Sequence, residues 1–169
     1  MNSITSKIAT ICGCINHCFA FELWCEDFAS VIGEDVIYVD EAFEIVSAST
    51  LLHSFLALRK LDDFLGAIQP KPGDLTSDRM GIDKAVVLGI GKNTLLLDAD
   101  RNSINKGVAH LTEHLTAEQD SEVDLLRITS ASISIFERLI SELKKMDSSG
   151  EDKYYISQTE ALVERFRTP

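Results

Sequence analysis

The stretch Arg101, Asn102, Ser103, Ile104, Asn105, Lys106, Gly107, Val108, Ala109, His110, Leu111, Thr112, Glu113 and His114 decides how this chain is read. It lies between two apolar segments and gathers two of the four histidines, an Arg, a Lys and two Asn into fourteen positions. Leu95 to Leu97 leads without a break into Asp98 to Lys106, so the spacing predicts a helix from about Asn93 to Lys106, bending at Gly107 and continuing to His114. The competing reading is a short β-hairpin near 85–97, with Ala85–Ile90 and Thr94–Leu97 flanking Gly91, Lys92 and Asn93. An isolated two-stranded hairpin is marginal in water, which favours the helix.

Working outward, the rest of the chain is also helical in period. Ile4, Ile8, Ile11, Ile15, Cys18, Cys25 and Phe28 follow steps of four and three, with Glu22 in the one missing place. That predicts one amphipathic helix over about Ser3 to Val31. Asp40 reads as the N-cap of a second helix to Gly66, with Glu41 and Glu44 in its first turn and Ala48, Leu51, Phe55, Leu58 and Leu65 on its inner face. Asp62 falls on that same face, with His53 beside it. A carboxylate on an apolar seam is costly unless paired, and Arg59, one turn back, is the local partner the spacing offers.

Ile68 to Ile82 holds Pro70, Pro72, Gly73 and Gly81 and reads as an exposed loop. Ser121 reads as the cap of a helix whose stripe is Leu126, Thr129, Ile133, Phe136, Ile140 and Leu143, closed by Lys144 and Lys145. Tyr155 to Phe166 reads as a short last helix docking through Leu162 and Phe166. Together these predict one all-α domain over 1–169: an antiparallel four-helix bundle with a short additional C-terminal helix.

Composition narrows the function classes. With 27 acidic against 16 basic residues the net charge is −11, which opposes non-specific DNA coating and anionic membrane surfaces but not a small local basic site for RNA. Met1–Ala20 is interrupted by Thr10, Gly13, Asn16 and His17, so it makes a poor signal peptide and is too short for a membrane span. The expected location is cytoplasmic. Cys12, Cys14, Cys18 and Cys25 all lie in one short segment, and a single helix cannot present four ligands to one zinc ion. They read as free thiols in a reducing compartment.

The candidate chemistry centres on His110. His110 and His114 share a helical face, but Leu111 stands where a metalloprotease needs Glu, and only guesses such as Asp62 or His53 could add a ligand. No metal or cofactor is therefore assigned. Gly89, Gly91 and Lys92 lack the length of a phosphate-binding loop. What remains is Arg101, Asn102, Asn105, Lys106 and His110. A His can move the proton of a ribose 2′-hydroxyl while Arg or Lys steadies the phosphorane. Lys106 lies about one turn from His110, whereas Arg101, nine positions earlier, falls on the far side of a straight helix.

The segment Asn102 to Thr112, together with Leu58, Arg59, Lys60, Leu61 and Asp62, resembles the HEPN superfamily, nearest its branch related to phage abortive-infection proteins. The resemblance implies a four- or five-helix bundle that forms a homodimer. It also implies metal-independent RNase chemistry of the toxin–antitoxin or antiphage kind, with RNA as substrate and an antitoxin as partner. The family motif runs from Arg, through four to six residues of which the first is commonly polar, to His. Arg101 and Asn102 resemble its start and His110 its end. Eight residues lie between Arg101 and His110, more than the family spacing, which counts back instead to Ser103, Ile104 or Asn105. His110 is thus expected as general acid or base, with Arg101 or Lys106 on the phosphate. The alternative is a non-catalytic dimerisation module in which Asp62, Arg59 and His110 form a buried polar network.

Overall fold

The computed structural model describes residues 4–32, 41–66, 69–113, 124–146 and 148–167, with side chains described for 7–27, 46–66, 69–106, 124–146 and 148–167. Among these residues every regular element is helical. The helices are α1 (Ile4–Cys18), α2 (Ala20–Ile32), α3 (Glu41–Phe64), α4 (Lys84–Leu88), α5 (Asp98–Glu113), α6 (Leu125–Lys144) and α7 (Gly150–Arg167), with a 3-10 turn at Asp78–Met80. The all-α class and the helical bundle are as the periodicity predicts.

Helix α1 lies between α3 and α7; α6 packs on α7, α5 on α3, and the short α4 on α6. One continuous apolar core joins them, from Ile8, Ile15 and Phe19 through Leu58 and Leu61 to Ile135, Leu139 and Val163. The last helix is longer than expected, starting at Gly150. Ser149 and Asp152 form its N-terminal box: the Asp152 amide donates to Ser149 Oγ, and Asp152 Oδ2 accepts from the Ser149 amide and hydroxyl. Ile156, Thr159 and Val163 then face inward.

The first predicted helix is in fact two. α1 and α2 meet at Phe19 with a bend of 50°. The Phe19 amide donates to Asn16 O at 3.2 Å, a tightened last turn. No Gly or Pro stands at the bend; tertiary packing makes it. Phe19 is fully buried, stacked on Phe166 with ring centroids 4.7 Å apart and edge-on to Phe136 at 5.8 Å. No single described helix is long and apolar enough to cross a membrane; α1 and α2 meet that test only as a bent pair.

Around α5 the hairpin does not form, and the helix reading holds with a later start. Lys84–Leu88 is helix rather than strand, capped by Asp83 Oδ1, which accepts from the Ala85 amide at 2.9 Å. Gly89 and Gly91, at φ of 86° and 79°, end it and turn the chain. Residues Asn93 to Leu97 are not helical, and α5 begins at Asp98 and continues past Gly107 to Glu113. Arg138 of α6 closes the C-terminal end of α4, its Nε donating to Val87 O at 2.6 Å and its Nη2 to Leu88 O at 3.2 Å.

Three smaller expectations are also revised. Part of the connection after α3 is exposed, from Gln69 to Asp74, but Thr76, Ser77 and Ile82 are buried, and the Ser77 amide donates to Phe64 O at 2.9 Å. Asp124 caps α6 by accepting from the Arg127 amide. Leu125 and Ile128 turn inward onto the core, and Leu126, expected on the stripe, turns outward. The proposed caps Asp40 and Ser121 lie outside the described residues.

Candidate functional site

The polar centre of the bundle is Asp62, fully buried on the inner face of α3 among Leu58, Leu61 and Leu65. Its Oδ1 accepts from the amides of Leu95 at 2.9 Å and Leu96 at 3.0 Å. Its Oδ2 accepts from Arg101 Nε at 2.7 Å. These three donors take the place of the water that burial removes from the carboxylate. Arg59 is exposed and is not that partner, which corrects the sequence expectation.

Arg101 is held on three sides. Besides Asp62, Nη1 donates to Asp98 Oδ1 at 2.8 Å and Nη2 to Leu96 O at 3.3 Å. Its side chain is only 19% exposed. The hydrogen bond and charge of Asp62, helped by Asp98, raise its pKa above the ordinary arginine value against the opposing effect of burial. Thr94 Oγ1 donates to Leu96 O at 2.8 Å, so the turn before α5 is tied at both ends. Arg101 and the fully buried Ile104 are three apart, and both face the bundle.

The other candidates diverge. Asn102 and Lys106 are exposed. Asn105 is half-buried, and its Oδ1 is buried without a hydrogen-bond partner among the described residues. His110 belongs to α5, but its side chain lies outside the described residues, as does the whole of His114. The structure therefore joins Arg101 to Asp62 and Asp98, and joins neither Asn102 nor Lys106 to them. Nine residues along a helix amount to about two and a half turns, so positions 101 and 110 are separated by about 13 Å along the axis of α5.

Two clefts flank this centre. One, about 400 Å³, is lined by the turn from Gly91 to Asp98 and by Asp100, Arg127, Ile128 and Ser132. Arg127 Nη2 pairs across it with Asp100 Oδ1 at 2.5 Å, tying α6 to α5. The other, about 390 Å³, lies between α1, α3 and the following loop, and is lined by Ile11, Cys14, Lys60, Asp63, Phe64 and Leu75. Burial pushes the Asp63 carboxyl up, with Arg59 opposing. Neither cleft includes Arg101 in its walls.

Sequence reasoning did not find the Leu95 and Leu96 amides or Arg138. Backbone donors have no side-chain signature, and Arg138 acts on carbonyls some fifty positions away in the chain. The four thiols are free; Cys12 and Cys18 are buried, Cys14 is half-buried and Cys25 exposed. Burial raises the pKa of each of the four. Among the described residues no three His, Cys, Asp or Glu side chains converge as a metal site. No protein-family model matches the chain, and no curated protein or solved structure matches it.

Proposed function

We propose that this chain is a HEPN-like bundle acting as a non-catalytic interaction module that pairs with a second copy of itself. The observation carrying this reading is the engagement of Arg101. A guanidinium that steadies a phosphorane must turn its donors toward the substrate. Here Nε, Nη1 and Nη2 each have an internal acceptor. Withdrawing Arg101 would leave Asp62 buried and short of a partner, a costly state. Arg101 is thus a register-setting residue between α3 and α5.

Exposed apolar side chains supply a surface for pairing. Leu97 is 67% exposed at the cleft formed by the turn before α5, and Leu126 is 63% exposed beside Arg127, which lines the same cleft. Large apolar groups rimmed by charged ones are characteristic of association sites.

The second reading is a metal-independent RNase of a toxin–antitoxin or antiphage system. Lys106 favours it, being exposed and one turn before His110 on α5. Two experiments separate the readings. Light scattering should give a dimer for the parent and a monomer for Leu97→Asp and Leu126→Asp. Parent and His110→Ala should behave alike, and without effect, in growth inhibition and in cleavage of total RNA. Cleavage that His110→Ala abolishes would establish the RNase instead.

A further inference from the structure

A pair of histidines outside the Asp62 centre joins α1 to α3. His17 and His53 are both exposed, and their ring centroids stand 6.0 Å apart with planes at 62°. His53 Nδ1 lies 3.0 Å from Ser49 O, four residues back on its own helix. A carbonyl can only accept, so this contact places the proton on Nδ1 and leaves the Nε2 lone pair free. A backbone carbonyl that fixes the tautomer in this way is the usual outer support of a metal-bound histidine.

The separation suits a shared ion. Metal–nitrogen bonds of about 2.1 Å to two imidazoles at a tetrahedral angle put the ring centroids about 5.2 Å apart. The observed 6.0 Å differs from that by less than 1 Å, which two exposed side chains can close by small χ rotations.

We infer that His17 and His53 form a two-histidine clamp for a borderline divalent transition ion of the Zn²⁺ or Ni²⁺ kind, bridging α1 and α3. Two neutral imidazoles select such ions over Mg²⁺ and Ca²⁺, which take oxygen donors. Water fills the remaining positions, so the site is open and the ion exchangeable. The clamp is independent of Arg101 and of the pairing surface. Its effect is to staple two helices of the core.

The full chain, in a non-thiol reductant, would be melted with EDTA, with excess Zn²⁺ and with excess Ni²⁺, alongside His17→Gln and His53→Gln. Both side chains are exposed, so the EDTA melts should coincide. The parent should gain about 5 °C with either ion at a large excess over Kd, and each variant should lose that gain. Co²⁺ bound to the parent should show ligand-field bands without a sulfur-to-cobalt charge-transfer band. No gain in the parent overturns the clamp. So does a gain that survives either substitution, or a sulfur band assigning the ion to the thiols.

Discussion

Arg101 of α5 donates to Asp62 of α3 at 2.7 Å, in a contact that excludes water from the carboxylate and leaves the guanidinium one open edge. Removing either partner strands a charge or a pair of amides. Asp62→Ala and Arg101→Ala should each lower unfolding free energy by about 3 kcal/mol, and the double variant by less than their sum. Urea denaturation of the four proteins checks this. Single losses below about 1 kcal/mol would mean the pair does not organise the bundle.

Phe19 carries the bend between α1 and α2. Phe19→Ala removes a fully buried ring from between Phe136 and Phe166 and should cost about 3–5 kcal/mol. Phe19→Leu should recover a large part of that. Equal losses for the two substitutions in a chemical denaturation series would contradict the account.

Arg138 is the stop for α4. Arg138→Ala leaves the Val87 and Leu88 carbonyls without these donors and should cost about 1–3 kcal/mol. The loss should be local. Hydrogen exchange should quicken at the α4 amides and stay unchanged in α1, whereas a uniform quickening would place the effect elsewhere.

Glu22 predicts a pH dependence. It lies in the first turn of α2, half-buried, and accepts from Thr129 Oγ1 at 2.5 Å. Burial raises its pKa above 4.5, Thr129 opposing and Glu26 adding. A folded pKa above the unfolded one means its stabilising contribution is full below about 4.5 and is lost as pH rises through the folded value. Glu22→Gln keeps an oxygen for Thr129 without the charge. It should be the more stable protein at pH 7 and should converge on the parent below about pH 4.5. A difference that does not change with pH would remove charge as its cause.

The cysteines should separate by accessibility. Cys25, exposed, should alkylate first and Cys14 next, with Cys12 and Cys18 reacting only on unfolding. Mass mapping of iodoacetamide-treated native protein gives the order directly. Early labelling of Cys18 would contradict its burial.

These residues also mark how far the sequence could be read. The stripe of α3 and most of that of α6 follow from apolar spacing, whereas Leu126 turns outward and the buried face of α7 is Ile156, Thr159 and Val163 rather than Leu162 and Phe166 alone. Asp62 announced its need for a partner by standing on an apolar seam, and Arg59 is merely the nearest cation in sequence. The true partner had a trace in the sequence, since Ile104 three positions on marks the side of α5 that faces inward. The bend at Phe19 had none, because it depends on rings contributed by α6 and α7. The start of α5 was misread because two leucine amides serve a carboxylate on another helix rather than their own ladder.

The three donors of Asp62 all come from positions 95 to 101, more than thirty residues downstream. A growing chain therefore completes α3 well before anything can neutralise the charge on its inner face. Docking of α1 on α3 at that stage would bury a bare carboxylate, which costs several kcal/mol. A fragment ending at Lys92 should accordingly stay loosely packed, and should tighten when Asp62 is replaced by Asn, as near-ultraviolet circular dichroism would register. In the intact chain the same dependence predicts that tight docking of α1 on α3 waits for residues 95 to 101, the segment that carries the donors.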